Sequence, residues 1–165
     1  IMRRYTQEDI KNRPALKNRD FDHAHDVLSR NPDQTCVVVN YAEGTRFTPE
    51  KHKKNRSPYQ HLLKPKVGGP QLTLQCLRDR LDGIFDITIA YPGARLSVWH
   101  LLAGHVPKAM IHVEQIEVPK GLEEKPKTLA ELKAFRSWMN SIWAKKDARI
   151  ERMLNGTPAC DHTSS

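Results

Sequence analysis

Long apolar runs are missing from this 165-residue chain, whose longest is Cys36-Val37-Val38-Val39. A membrane-crossing helix needs about 20 mostly apolar residues, and the core of a secretory leader about 7–15. No stretch of the sequence serves either purpose. Cysteine is scarce as well: Cys36, Cys76 and Cys160 lie far apart, without a Cys-x-x-Cys pair to suggest a metal knuckle or a redox site. Free thiols in a reducing compartment are expected. The eight histidines are scattered, and His23 and His25 stand at i, i+2, which does not place both on one helix face. No metal site is expected. Aromatics make up only 7%, so Trp99, Trp138 and Trp143 are expected as packing residues rather than a base-stacking platform. No nucleic-acid-binding motif accompanies the formal charge of +8, and nucleic acid is not an expected partner. Internal repeats are absent.

What the sequence does contain suffices for one domain with a real core. Phe21, Ala24, Val27 and Leu28 fall at helical spacing, predicting a helix over 20–30. Thr35-Cys36-Val37-Val38-Val39-Asn40 is a β-branched run of the kind expected in a strand buried on both faces. The segment 51–56 then carries Lys or Arg at four of six positions and is expected to be a solvated loop. Leu74, Leu77 and Leu81 follow Gly68-Gly69-Pro70 and predict a helix over 70–82. Residues 84–91 and 109–118 read as strands, with a short helix over 97–102 between them. Thr128 and Glu131 form a capping box, after which Leu129, Leu132, Phe135, Met139, Ile142 and Ile150 trace one face of a helix reaching residue 154. Its other face, with Lys133, Arg136, Lys145, Lys146 and Arg149, is expected to be solvated. Alternating helices and strands predict an α/β layer structure with a largely parallel sheet and flanking helices.

Ligands in open α/β sheets gather at the carboxyl ends of strands. The predicted valine strand leads directly into Glu43-Gly44-Thr45-Arg46. Gly44 lets backbone approach a ligand closely, Thr45 offers a hydroxyl, and Arg46 offers a planar donor fork that matches phosphate. Glu43, an anion, is expected to orient Arg46 or to accept a hydrogen bond from a substrate hydroxyl. Taken alone, such a short motif is also compatible with a surface turn carrying an ordinary Glu–Arg pair.

Neighbouring residues give the motif a context. Asn40-Tyr41-Ala42-Glu43-Gly44-Thr45-Arg46-Phe47-Thr48, Ser57-Pro58-Tyr59 and Leu63-Lys64-Pro65-Lys66-Val67-Gly68-Gly69 together resemble the glycerophospholipid acyltransferase family, which includes the lysophosphatidic acid (1-acyl-sn-glycerol-3-phosphate) acyltransferases. The family's third sequence block is typically Phe-Pro-Glu-Gly-Thr-Arg, and here Tyr41-Ala42 stand where Phe-Pro is usual. Loss of that proline bears on turn rigidity more than on chemistry. Lys66-Val67-Gly68 is similar to the family's Lys-x-Gly, Ile87-Thr88-Ile89-Ala90-Tyr91-Pro92 to its fourth block, and Met2-Arg3-Arg4 to the end of its second. The stretch from Arg46-Phe47-Thr48 to Ser57-Pro58-Tyr59 most resembles the bacterial inner-membrane, lysocardiolipin-acyltransferase-like branch. The resemblance covers about residues 1–118.

The resemblance implies direct acyl transfer from an acyl thioester, carried by coenzyme A or acyl carrier protein, to the free hydroxyl of a lysophospholipid such as lysophosphatidic acid. It assigns Arg46, Arg3, Arg4 and Lys66 to the substrate phosphate, and Glu43, Gly44 and Thr45 to substrate positioning. No bound cofactor and no metal are implied. The family's catalytic pair is a His-x-x-x-x-Asp block, and no histidine here has aspartate five residues later. His112 and Glu117 come nearest, but the odd separation in a strand sends them to opposite faces. The sequence is therefore expected to be a fragment whose catalytic His and Asp lie upstream of Ile1 and which is inactive alone. Its expected parts are the C-terminal portion of a catalytic domain incomplete at its N-terminus (1–120), a linker with a long amphipathic helix (121–154) and a flexible tail (155–165). A membrane-associated site facing the cytoplasm, with the membrane surface as a partner, is expected for the parent. The basic segment 51–56 suits anionic headgroups or coenzyme A phosphates. The alternative is a non-catalytic basic module that binds phosphate, membrane or nucleic acid.

Overall fold

The computed structural model describes residue 26 and residues 37–77, 80–91, 102–104, 108–122, 124 and 128–156. Three helices and two strands fall within them: α1 (Pro49–Asn55), α2 (Gly68–Leu77), β1 (Ile84–Ala90), β2 (Met110–Ile116) and α3 (Leu129–Leu154). Of the expected helices over 20–30 and 97–102 only Asp26 and Leu102 are among the described residues, both helical, and of the expected tail over 155–165 only Asn155 and Gly156 are.

The long C-terminal helix forms as its sequence predicts. The Thr128 side chain accepts from the Glu131 backbone N–H at 3.2 Å, and the Glu131 carboxylate accepts from the Thr128 N–H at 3.4 Å. A cap of this kind contributes about 1 kcal/mol. Phe135, Met139, Trp143 and Ile150 are buried along one face, and with Ala42, Tyr59, Leu62 and Leu74 they form the core. Burial of each large apolar side chain contributes about 1.5–3 kcal/mol, so the core centres on α3.

The basic segment 51–56, expected as a loop, lies instead in a helix over 49–55 that Arg56 caps. Thr48 caps it by accepting from the Lys51 N–H, Pro49 occupies the first turn, and Arg56 closes it in the left-handed conformation at φ 46°. Glu50 sits in its first turn and Lys53 and Lys54 in its last, the arrangement the helix dipole favours. Local capping chemistry thus outweighs the charge density that suggested a loop.

The sheet also differs from expectation. β1 and β2 occur where predicted but pair antiparallel, in a two-stranded sheet, from Ile84↔Ile116 through Ile87↔Val113 to Ala90↔Met110. No parallel pairing occurs among the described residues. The valine run is not a buried strand: residues 37–40 lack regular structure, and Val37 and Val39 are 89% and 70% exposed. A strand buried on both faces needs layers above and below it, and among the described residues neither is built over these valines.

The predicted solvated face of α3 is only partly so. Lys146 and Arg149 point into the sheet: Lys146 Nζ lies 2.6 Å from Asp86 Oδ1 and 2.8 Å from the Ile87 carbonyl. Arg149 Nη1 lies 3.4 Å from Asp86 Oδ2, and Arg149 also pairs with Glu114. Thr88, completely buried beside them, donates to Asp86 at 3.3 Å. The middle of the sheet face against α3 is thus polar and paired, between the inward-facing Ile84 and Ala90, while Phe85, Ile87 and Ile89 are exposed on the other face.

Candidate functional site

The Glu-Gly-Thr-Arg motif forms a turn fixed from three sides. The Gly44 N–H donates to the Tyr41 carbonyl at 2.8 Å, and Gly44 takes φ +67°, a conformation glycine adopts without steric cost. The Lys66 N–H donates to the Ala42 carbonyl at 2.7 Å, drawing the Lys-x-Gly segment alongside. The Lys66 side chain then lies across Gly44. A Cβ built there would meet Lys66 Nζ at 3.2 Å and Cδ at 3.1 Å. Glycine is needed at this position for its backbone angle and for that close approach.

Glu43 turns away from Arg46. Its Oε2 accepts from the Leu63 N–H at 3.2 Å, an attachment between residues 20 positions apart. Burial pushes the Glu43 carboxyl above its ordinary value, against the opposing effects of the Leu63 hydrogen bond and the Lys146 charge. Arg46 is exposed and has no carboxylate partner among the described residues. Thr45 is held by Lys51, whose Nζ donates to Thr45 Oγ1 at 2.8 Å and to the Arg46 carbonyl at 3.3 Å. Lys51 therefore belongs to the site, although as part of a basic segment it reads as solvated. Its spacing after Thr48, one helical turn into α1, is the signal that could have revealed it. Arg3 and Arg4 lie outside the described residues.

The loop that receives Glu43 is itself fastened to α3. Asp147 accepts from the Gln60 and His61 N–H groups at 2.8 and 2.7 Å, and Trp143 Nε1 donates to the Leu63 carbonyl at 3.1 Å. His61 Nε2 meets Glu151 at 2.5 Å, and the Tyr59 hydroxyl donates to Asn140 Oδ1 at 3.2 Å. The pairing with His61 and the bond from Asn155 hold the Glu151 carboxyl below its ordinary value. Through Leu63 and Glu43 the long helix thus sets the position of the turn. The result is a glycine turn that holds Lys66 and Lys51 against it, carries the exposed Arg46 in its own sequence, and has its carboxylate engaged with Leu63. Such a cluster can hold a dianionic phosphate.

Comparison with known proteins gives this geometry a lineage. The chain is 30% identical over 136 residues to Lysocardiolipin acyltransferase 1 of Gallus gallus, a match covering 80% of this chain and 34% of that protein. It is 26% identical over 133 residues to the 2-acyl-1-lysophosphatidylinositol acyltransferase of Saccharomyces cerevisiae, covering 70% and 32%. It is 30% identical over 120 residues to 1-acyl-sn-glycerol-3-phosphate acyltransferase gamma of Mus musculus, covering 67% and 30%. These relatives are acyltransferases of lysophospholipids by name, and the chain belongs to the glycerophospholipid acyltransferase family. It spans about a third of the length of the curated relatives it matches. No family model and no solved structure matches the chain.

Proposed function

We propose that this chain is the phosphate-holding part of an acyltransferase that moves a fatty acyl group from an acyl thioester to the free hydroxyl of a lysophospholipid. The observation that carries the reading is the approach of Lys66 to Gly44 and of Lys51 to Thr45, beside the exposed Arg46, while Glu43 is occupied by Leu63. Holding the acceptor's phosphate there fixes its glycerol hydroxyl in space, and such positioning supplies a large share of catalysis. A histidine base, oriented by an aspartate and supplied from outside these residues, removes the hydroxyl proton. The oxygen attacks the thioester carbonyl, and the tetrahedral oxyanion collapses to the new ester as the thiolate leaves and takes up a proton. No acyl-enzyme intermediate is needed. The thioester is carried by coenzyme A or acyl carrier protein, and the reaction runs on the cytoplasmic face of a membrane, where lysophospholipids reside and the chain's excess positive charge favours anionic headgroups.

The test is an acyl-transfer assay on the full-length protein with lysophosphatidic acid and an acyl thioester. Turnover to the diacyl product is expected. Phosphate binding without turnover would contradict the enzymatic reading and leave a phosphate-binding module.

A further inference from the structure

A groove of about 610 Å³ runs between the extended segment after Tyr59 and the outer face of α3. Two elements supply its polar groups. Lys64 and Lys66 flank Pro65 at i, i+2, the spacing that sends both side chains of an extended segment to one face, and both line the groove. From α3 come Arg136 and Asn140, at the i, i+4 spacing that stacks side chains on one face of a helix. Asn140 Oδ1 accepts from the Tyr59 hydroxyl, and its amide nitrogen can donate to a ligand. No carboxylate lines the groove, and Lys64, Lys66 and Arg136 have no acidic partner among the described residues. Apolar wall comes from Pro58, Pro65 and Val67.

Lys146 and Arg149 of α3 are neutralised by Asp86 and Glu114, whereas Lys133, Lys145 and Arg152 of the same helix also have no acidic partner among the described residues. What marks the groove is that three cations from two elements line one concavity without a carboxylate among its lining residues. We infer that the groove is a second phosphate site, adjoining the Gly44 turn through Lys66, and that it takes a phosphate ester whose organic part lies on the proline wall. A guanidinium with two flanking ammoniums suits phosphate oxygens, while concavity with a mostly apolar wall suits an ester over a free inorganic ion. The ester belongs either to a lipid headgroup or to the nucleotide-like carrier of a thioester. This inference deepens the reading above by adding a second anion position, and it depends on phosphate as the ligand class but not on acyl transfer.

The experiment is an amide chemical-shift titration of the 165-residue chain with three probes: a short-chain lysophosphatidic acid, adenosine 3′,5′-bisphosphate and inorganic phosphate. Either organic phosphate is expected to shift residues 58–67 together with 136–140, more strongly than inorganic phosphate does. The lipid acting alone identifies a headgroup, and the nucleotide acting alone identifies a carrier. Arg136→Gln, and separately Lys64→Gln, should each weaken that binding roughly tenfold or more, the loss expected when one partner of a charged hydrogen bond is removed. Both residues are exposed, so either variant should keep the wild-type fold. Arg46→Gln should leave the groove response in place. Shifts confined to 41–46 and 51, unaffected by either groove variant, would overturn the inference while leaving the proposed function standing. Equal responses to all three probes, abolished together by moderate salt, would overturn it as diffuse charge attraction.

Discussion

The two faces that meet α3 and those that do not are built on opposite terms. Where α3 packs, backbone and side chain are tied together: Asp147 to Gln60 and His61, Trp143 to Leu63, Lys146 and Arg149 to Asp86. Away from α3, Phe85, Ile87, Ile89, Ile111 and Val113 of the sheet stand 46–63% exposed, and Val37 and Val39 more so. Hydrophobicity alone therefore does not mark the core of this chain. The helix that closes the core also carries the polar contacts that fix the candidate site, so core integrity and site geometry should fail together, and the bare face should be indifferent to both.

That contrast is sharpest at Phe135, 1% exposed in the core it shares with Tyr59, Leu62 and Leu74. Phe135→Ala should cost about 3–5 kcal/mol through lost burial and a residual cavity, which denaturant melts of the chain would show as a lower midpoint. Asp86→Ala leaves Lys146 and Arg149 facing each other without their shared carboxylate, whose side chain is 9% exposed. A loss of about 3 kcal/mol is expected, at the low end for a broken buried pair because both cations keep some access to water. The same melts, compared with Asp86→Ala in the Lys146→Met background, would show a smaller loss if the pair is responsible.

Glu43→Gln separates charge from hydrogen bonding. The folded state raises the Glu43 pKa above its ordinary 4.5 and so holds that proton more tightly than the unfolded chain does. Wild-type stability should accordingly fall as pH climbs through this window, relative to the glutamine variant, which has no proton to lose. Glutamine still accepts from the Leu63 N–H, so at neutral pH the variant should lie within about 1 kcal/mol of wild type or above it. Melts at a series of pH values from acid to neutral would read the divergence. Smallest of all, Ile87→Ser on the bare face should change stability by no more than about 0.5 kcal/mol. A larger loss would mean that the face is covered in solution.

Much of this was legible in the amino-acid order, for local reasons. The Thr128 and Glu131 box and the 3.6-residue apolar period define α3 to its last residue, and β1 and β2 follow from short apolar stretches. Strand direction was not legible, because parallel and antiparallel pairing use the same residues and differ only in how the chain returns. The valine stretch misleads because its composition suits burial, which depends on what lies above and below. At α1, Thr48-Pro49-Glu50 is a helix start that the following lysines obscured. In the site, the resemblance drew attention to Lys66, and the structure sets its side chain against Gly44 of the motif. The attachment of Glu43 to Leu63 spans 20 residues and has no local signature. The groove residue Arg136 and the inward-facing Arg149 read alike on the helix. Only the strand beneath Arg149 distinguishes them.

The central claim is that the Gly44 turn holds a substrate phosphate through Arg46. Its most direct test is the kcat/KM of Arg46→Ala in the full-length protein, with lysophosphatidic acid and with an unphosphorylated monoacylglycerol as acceptors. Loss of a charge-assisted contact of about 2–5 kcal/mol predicts a fall of roughly 30-fold or more with the phosphorylated acceptor and little change with the other. Equal kinetics with lysophosphatidic acid in variant and wild type would contradict the account.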